Sequence, residues 1–297
     1  EMIQDVINAG FNVIRIPVTW DQHIIKEENY RIDSEWMARV KEVVDYAYGQ
    51  GVYVILNTHH EDRWLYPSKE REEESIRELV AVWEQIAKTF KEYDERLLFE
   101  GVNEPRLVGT EDEWNGGNQE AWDIVNHMNQ AFIDTVRASG GNNKYRHLLI
   151  TDYADSTNIN ALKALVIPSD SRVIVTVHSY LPYNLALENS EVSTFDPANP
   201  NDTTEIDNLM KDLKELFIDQ GVPVIIGEYG VRDKDNLEDR VAATEYFVSA
   251  ANKLGIPCVW WDNGAFDGTN ENFGLYDRKH RTWPYPEILN TIMESTK

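Results

Sequence analysis

Two carboxylates stand at the ends of apolar runs. Glu104 closes Leu97-Leu98-Phe99-Glu100-Gly101-Val102-Asn103-Glu104-Pro105, and Glu228 closes Pro223-Val224-Ile225-Ile226-Gly227-Glu228-Tyr229-Gly230. Short apolar runs bounded by breakers read as strands buried on both faces, and Pro105 forbids extending the ladder. Each carboxylate is therefore delivered at a strand's end. A lone carboxylate in that position ordinarily pairs with an arginine or caps a loop. Two that face each other cannot both ionise freely, so one pKa rises and that group becomes a proton donor while the other stays anionic. Glycoside hydrolysis requires such a pair: an acid for the leaving oxygen and a carboxylate at the anomeric carbon.

The remaining chain has to position them. Strand-like runs cover residues 11–18, 52–60, 147–151, 172–180 and 256–261 in addition to the two above, and the run 52–60 turns polar at its C-terminal end as those two do. Between them lie segments with helical spacing, such as Met37, Val40, Val43, Val44 and Ala47 after the potential N-caps Asp33 and Ser34. Uninterrupted alternation of this kind means parallel strands joined by right-handed crossovers. An open doubly wound sheet gathers its polar residues at one switch point. Here Arg15, His59, His60, Asn103, Glu104, Asp152, His178, Tyr180, Glu228, Trp261 and Asp262 fall at strand ends all along the chain, which favours a (β/α)8 TIM barrel. The pattern gives seven strands and eight helices, and the chain opens on a helix around Met2–Ala9, so the first strand of the barrel is expected to be missing from the sequence. A polar loop is expected from Pro182 to about Thr204. The economical organisation is one catalytic domain over residues 1–297.

Composition narrows the partners. A formal charge of −24, from 52 acidic against 28 basic residues, would repel a nucleic acid or an anionic membrane. No apolar stretch approaches the roughly 20 residues of a membrane span, and the opening residues carry no signal peptide. The only cysteine, Cys258, lies in an apolar run and reads as packing. Nine Trp and 14 Tyr are a heavy aromatic load, and aromatic faces beside carboxylates suit a sugar ring better than an ionic substrate.

Taken together, Arg15 in Asn-Val-Ile-Arg-Ile-Pro-Val-Thr-Trp, His59-His60, Asn103-Glu104-Pro105, His178-Ser179-Tyr180, Gly227-Glu228-Tyr229-Gly230 and Trp260-Trp261-Asp262-Asn263-Gly264 resemble glycoside hydrolase family 5, the family of retaining cellulases. The resemblance runs over essentially the whole chain with the motifs in family order. It implies Glu104 as general acid/base and Glu228 as nucleophile. It further implies that Asn103 binds the 2-hydroxyl of the reacting sugar, that Arg15 and Tyr180 hydrogen-bond the nucleophile, that His59 and His178 complete the pocket with His60 beside them, and that Trp261 is the stacking platform. A secreted, monomeric endo-β-1,4-glucanase without a cofactor is then expected, acting on a β-glucan polysaccharide. Xyloglucanase, lichenase, xylanase and mannanase share the mechanism, with preference residing in loops 61–74, 105–118, 182–204 and 262–277. A non-catalytic carbohydrate-binding protein and a metal-dependent hydrolase are the readings of other classes.

The metal reading is weak on geometry. His59 and His60 are adjacent on a strand, so they point to opposite sides, and no third ligand is spaced to help. Trp20, Trp64 and Tyr66 lie in loops after strands and are candidates for stacking sugars in outer subsites; Trp114 and Trp122 carry less weight. Asn201-Asp202-Thr203 matches the glycosylation sequon in a segment that reads as an exposed loop.

Overall fold

The structure, a computed structural model, describes residues 1–268 and 271–297. They fold as two compact units, residues 12–176 and a second made of residues 1–11 and 177–297. The chain opens with α1 (Met2–Asn8) of the second unit and then builds the first as β1 (Val13–Ile16), the two-residue strands β2 (Ile24–Ile25) and β3 (Arg31–Ile32), α2 (Ser34–Tyr48), β4 (Tyr53–Asn57), α3 (Glu72–Thr89), β5 (Leu97–Glu100), α4 (Gln119–Ala138), β6 (Leu148–Thr151) and α5 (Ile159–Ala164). Strand β7 (Val173–Ser179) runs from the first unit into the second, which continues with α6 (Tyr183–Ala186), α7 (Pro200–Leu216), β8 (Val224–Tyr229), α8 (Leu237–Asn252), β9 (Cys258–Trp260) and α9 (Pro286–Ser295).

Within residues 12–176 the strands lie in the order β1-β4-β5-β6-β7, every paired neighbour parallel, and in the second unit the order is β7-β8-β9. β2 and β3 form a separate antiparallel ribbon. The seven sheet strands are the seven apolar runs of the sequence. Eight helices match the helical segments, and α6, one turn long, adds a ninth among the described residues.

Side-chain caps start several of the helices. Asp33 accepts the N–H groups of Glu35 and Trp36, each at 2.9 Å, and Asn118 accepts that of Ala121 at 3.1 Å. The polar stretch expected to be loop to about Thr204 ends earlier. Asn199 caps α7 and Pro200 takes its first position, where a missing N–H costs nothing, so the Asn-Asp-Thr cluster forms a helical turn. The sequon therefore lies in the first turn of α7 rather than in a loop.

The packing that fixes the first carboxylate is aromatic. Trp83 meets Phe132 at 4.6 Å and Phe99 at 5.2 Å between ring centroids, joining α3, α4 and β5. Gly101 follows β5 directly beneath Phe132, where a Cβ would lie 2.6 Å from the ring. Its carbonyl accepts the Trp83 indole N–H and the Thr58 hydroxyl, both at 2.8 Å, and the Asn103 N–H reaches Thr58 O at 3.0 Å. The chain is thus pinned on three sides just before Glu104.

Candidate active site

In residues 12–176 the site grows from a buried ion pair. Arg15 Nε donates to Glu100 Oε2 at 2.7 Å and Nη2 to Oε1 at 2.6 Å, a two-pronged match of guanidinium and carboxylate. Both side chains are buried, Glu100 completely. The same Nη2 donates to Asn103 Oδ1 at 2.6 Å. This sets the Asn103 amide with its oxygen on the guanidinium, leaving Nδ2 as the donor it can offer a ligand. Asn57, the register partner of Glu100, accepts the Val18 N–H at 3.1 Å through Oδ1. Its Nδ2 then donates to Glu100 Oε1 and to His59 Nδ1, each at 3.1 Å. With Nδ1 accepting, a neutral His59 carries its proton on Nε2. Glu100 and Asn57 escaped the sequence reading because nothing in a strand's apolar pattern marks the partner of a buried arginine.

Glu104 follows in a left-handed conformation, φ 46°, and is half-buried. Its N–H donates to Asp155 Oδ2 at 2.7 Å and its carbonyl accepts from Arg106 Nη1 at 3.2 Å. Arg106 reaches Glu113 at 3.2 Å and Asp62 at 3.5 Å, and its guanidinium stacks 4.5 Å from the ring of Trp114. Tyr153, buried beside Leu107, Ala121 and Ala154, accepts the Leu107 N–H and donates to Asp112 O, both at 2.9 Å.

The loop tryptophans require a correction. Trp20 and Trp64 are 0% and 1% exposed, so neither has a ring face free for a sugar. Their indole N–H groups are used internally, Trp20 on Asn57 O at 3.0 Å and Trp64 on Glu61 Oε2 at 2.8 Å. Glu61 also accepts the N–H groups of Trp20 and Asp21 at 2.6 and 3.0 Å and so ties the loop after β1 to the loop after β4. Burial pushes its carboxyl up to about 8 even against those three donors. Tyr66 packs half-buried against the cluster around Tyr153. Trp114, given less weight from the sequence, is 62% exposed and is the aromatic face these loops present. His60 is exposed, its ring edge-on to that of buried His59 at 4.4 Å.

In the second unit the residues gather on Glu228. The Tyr180 hydroxyl donates to Glu228 Oε2 at 2.7 Å, and His178 Nδ1 lies 3.7 Å from the same oxygen. Glu228 and His178 are buried at the ends of β8 and β7. The Tyr180 ring leans on Phe273 at 5.3 Å, whose carbonyl accepts the Trp260 indole N–H at 3.0 Å. Half-buried Trp261 follows β9 directly and is held by its N–H on Tyr229 O at 2.8 Å. Asp262 braces the next loop by accepting the N–H groups of Gly264 and Leu275 at 2.9 and 3.2 Å. Within the loop 262–277, expected to set preference, residues 269–270 lie outside the described residues.

Each half pairs a strand-end carboxylate with a polar network built to orient it or a ligand beside it. Residues 1–267 match the family model for cellulase, glycosyl hydrolase family 5. The chain belongs to glycoside hydrolase family 5. It is 50% identical over 292 residues to Endoglucanase 1 of Ruminococcus albus, covering 98% of this chain and 70% of that protein. Among solved structures it is similar to a broad-specificity endoglucanase from Ruminococcus champanellensis with bound cellotriose, with a TM-score of 0.95 and 44% identity over 98% of this chain and 84% of that one. A mutant lichenase from Caldicellulosiruptor sp. F32, in complex with cellotetraose, gives a TM-score of 0.95 and 42% identity over 100% of this chain and 83% of that one. The fold is accordingly the (β/α)8 barrel expected, and the protein is a glycoside hydrolase.

Proposed function

We propose that this family 5 member is a secreted endo-β-1,4-glucanase, one catalytic domain over residues 1–297 acting as a monomer, that cleaves with retention through Glu104 and Glu228. The observation that carries the nucleophile's role is the Tyr180 hydrogen bond, which holds and orients the carboxylate buried at the end of β8. Glu228 attacks the anomeric carbon and forms a glycosyl ester, while Glu104 gives its proton to the leaving glycosidic oxygen. With the charge of Glu228 consumed in the ester, Glu104 has lost what held its proton and takes one from the incoming water, whose oxygen then cleaves the ester. This two-step course expects the carboxyls about 5–5.5 Å apart.

The other residues have roles that follow from their donors. Asn103, its oxygen fixed by Arg15, offers Nδ2–H to the sugar 2-hydroxyl, where hydrogen bonds strengthen in the transition state. His59 offers Nε2–H to a hydroxyl, His178 lies beside the nucleophile, and Trp261 presents its ring to a sugar face. His60 and Trp114, exposed in the loops after β4 and β5, serve sugars further along the chain. A polymer too large to enter a cell is the reason for placing the enzyme outside it. The lichenase neighbour keeps mixed-linkage glucan as a second substrate reading.

The test is reducing-sugar release from carboxymethylcellulose, mixed-linkage glucan, xyloglucan, xylan and mannan, with the anomer of the first product followed by NMR. Release from the glucans, β-product first, and loss of release in Glu228→Ala are expected. An α-product, or release undiminished in that variant, would overturn the mechanism.

A further inference from the structure

Both backbone groups of Glu104 end on a charged side chain, and we infer that Asp155 and Arg106 form a clamp that aims the acid/base; the inference rests on the acid/base role proposed above. Left-handed backbone is ordinarily left to glycine, because a Cβ crowds the following carbonyl. At position 104 the chemistry demands a carboxylate, so glycine is unavailable. Pro105 removes the right-handed helical alternative for the residue before it. Relaxation from φ 46° therefore leads to extended backbone, which redirects the Cα–Cβ bond and takes the carboxyl with it. A conformation of this kind persists only where its surroundings over-determine it.

The surroundings here do. Asp155 is wholly buried, and its Oδ2 takes the Glu104 N–H at 2.7 Å, a length typical of a charge-assisted bond. Arg106 takes the carbonyl on the other side of the same residue at 3.2 Å. Asp155 is itself presented by unusual backbone, with φ 62° at Ala154 and 48° at Asp155, and that turn is fastened to the Glu104 loop by the Ala154 N–H on Pro105 O at 3.0 Å. Two left-handed turns from the ends of β5 and β6 thus lock into each other, with Glu104 at the junction. Neither Asp155 nor Arg106 touches the reacting atoms in this scheme. They are positioning residues, and what they position is the proton.

That distinction sets the test. A dinitrophenyl leaving group departs without protonation, whereas phenoxide requires an acid, so kcat/KM on dinitrophenyl and phenyl β-cellobiosides separates aim of the proton from everything else the fold does. Asp155→Ala is expected to lose about 10²-fold on the phenyl substrate, the size of a misaimed acid, and less than about threefold on the dinitrophenyl one. Asp155→Asn, which keeps an acceptor oxygen, should recover at least about tenfold of the phenyl loss. Arg106→Met reads the other jaw and should show the same leaving-group selectivity, which keeps the question answerable if the alanine variant does not fold. Equal losses on both substrates, or none on either, would overturn the clamp. Glu104→Gln is the control for the reading underneath: selectivity there but not in the Asp155 and Arg106 variants refutes the clamp alone, and its absence there refutes the acid assignment itself.

Discussion

Glu100→Gln replaces one carboxylate oxygen by an NH2 group at a site with no exposure to solvent. Glu100 accepts three hydrogen bonds, from Arg15 Nε, Arg15 Nη2 and Asn57 Nδ2. A glutamine whose oxygen takes the Oε1 position keeps the second and third, and its NH2 then opposes the Arg15 Nε–H, donor against donor. The opposite rotamer loses two bonds, so the first is the state to count. It forfeits one charge-assisted bond, about 1.5–3 kcal/mol, and takes the Glu100 charge away from a buried guanidinium, where removing a partner outright costs about 3–5 kcal/mol. Since the glutamine retains part of the pairing, about 3 kcal/mol is expected, or a fall in Tm of roughly 6–12 °C at about 2–4 °C per kcal/mol. Activity should fall as well, because the Nη2 that leans on Glu100 also fixes the Asn103 amide. Urea unfolding monitored by tryptophan fluorescence, run beside kcat/KM on a soluble glucan, measures both. Glu42→Gln supplies the contrast, since its pair with Arg39 has the same 2.6 Å contact but is half-exposed and screened by solvent, so its loss should barely move the unfolding midpoint. A loss for Glu100→Gln no larger than for Glu42→Gln, with activity intact, would show that the ion pair does not anchor the site.

Three further outcomes follow from other sites. Arg146 is buried and spends its donors on uncharged oxygens, four of them the carbonyls of Phe90, Tyr93, Asp94 and Leu97 behind α3. Burial pushes its guanidinium down to about 10, and Arg146→Met, which orphans those carbonyls, should cost about 3 kcal/mol or more in the same unfolding assay, with kcat/KM unchanged at permissive temperature. Arg281, then Tyr276, hold the Asp5 carboxyl down at about 2 against an ordinary 3.8. A depressed acid stabilises the fold above its unfolded value and loses that contribution as pH falls through the folded one, so Asp5→Asn should lower Tm at pH 6 and make little difference at pH 2. Trp114→Ala should raise KM on polymer roughly fivefold with little change in kcat, the signature of about 1 kcal/mol of stacking lost equally from ground and transition states; an unaltered KM would return Trp114 to a loop-packing role.

How much of this was legible in the sequence depends on the range of the interaction involved. The seven strands could be read because apolar runs and their breakers are local, and Asp33 announced α2 because a cap acts within one turn. Asn199-Pro200 carries an equally local signal, masked by the polar composition around it. Trp20 and Trp64 misled for a different reason: a tryptophan in a loop looks available until a distant carboxylate, Glu61, gathers both loops inward. Glu100 and Asp155 were unreadable in the same way. Their importance lies in what they touch 85 and 51 positions away, and no periodicity encodes that.

The hydroxyl of Tyr153 has a consequence for how such enzymes change their diet. By binding Leu107 and Asp112 at once, it makes the β5–α4 loop and the turn after β6 a single inherited piece. A chimera that imports residues 105–118 from a relative with another substrate preference brings a loop shaped to a different anchor, and the acid/base sits at the seam. Transplants that carry 152–156 with it keep donor and anchor together. Recombination along the gene should then favour breakpoints outside the interval 103–156, so that appetite is exchanged by the block and not by the loop.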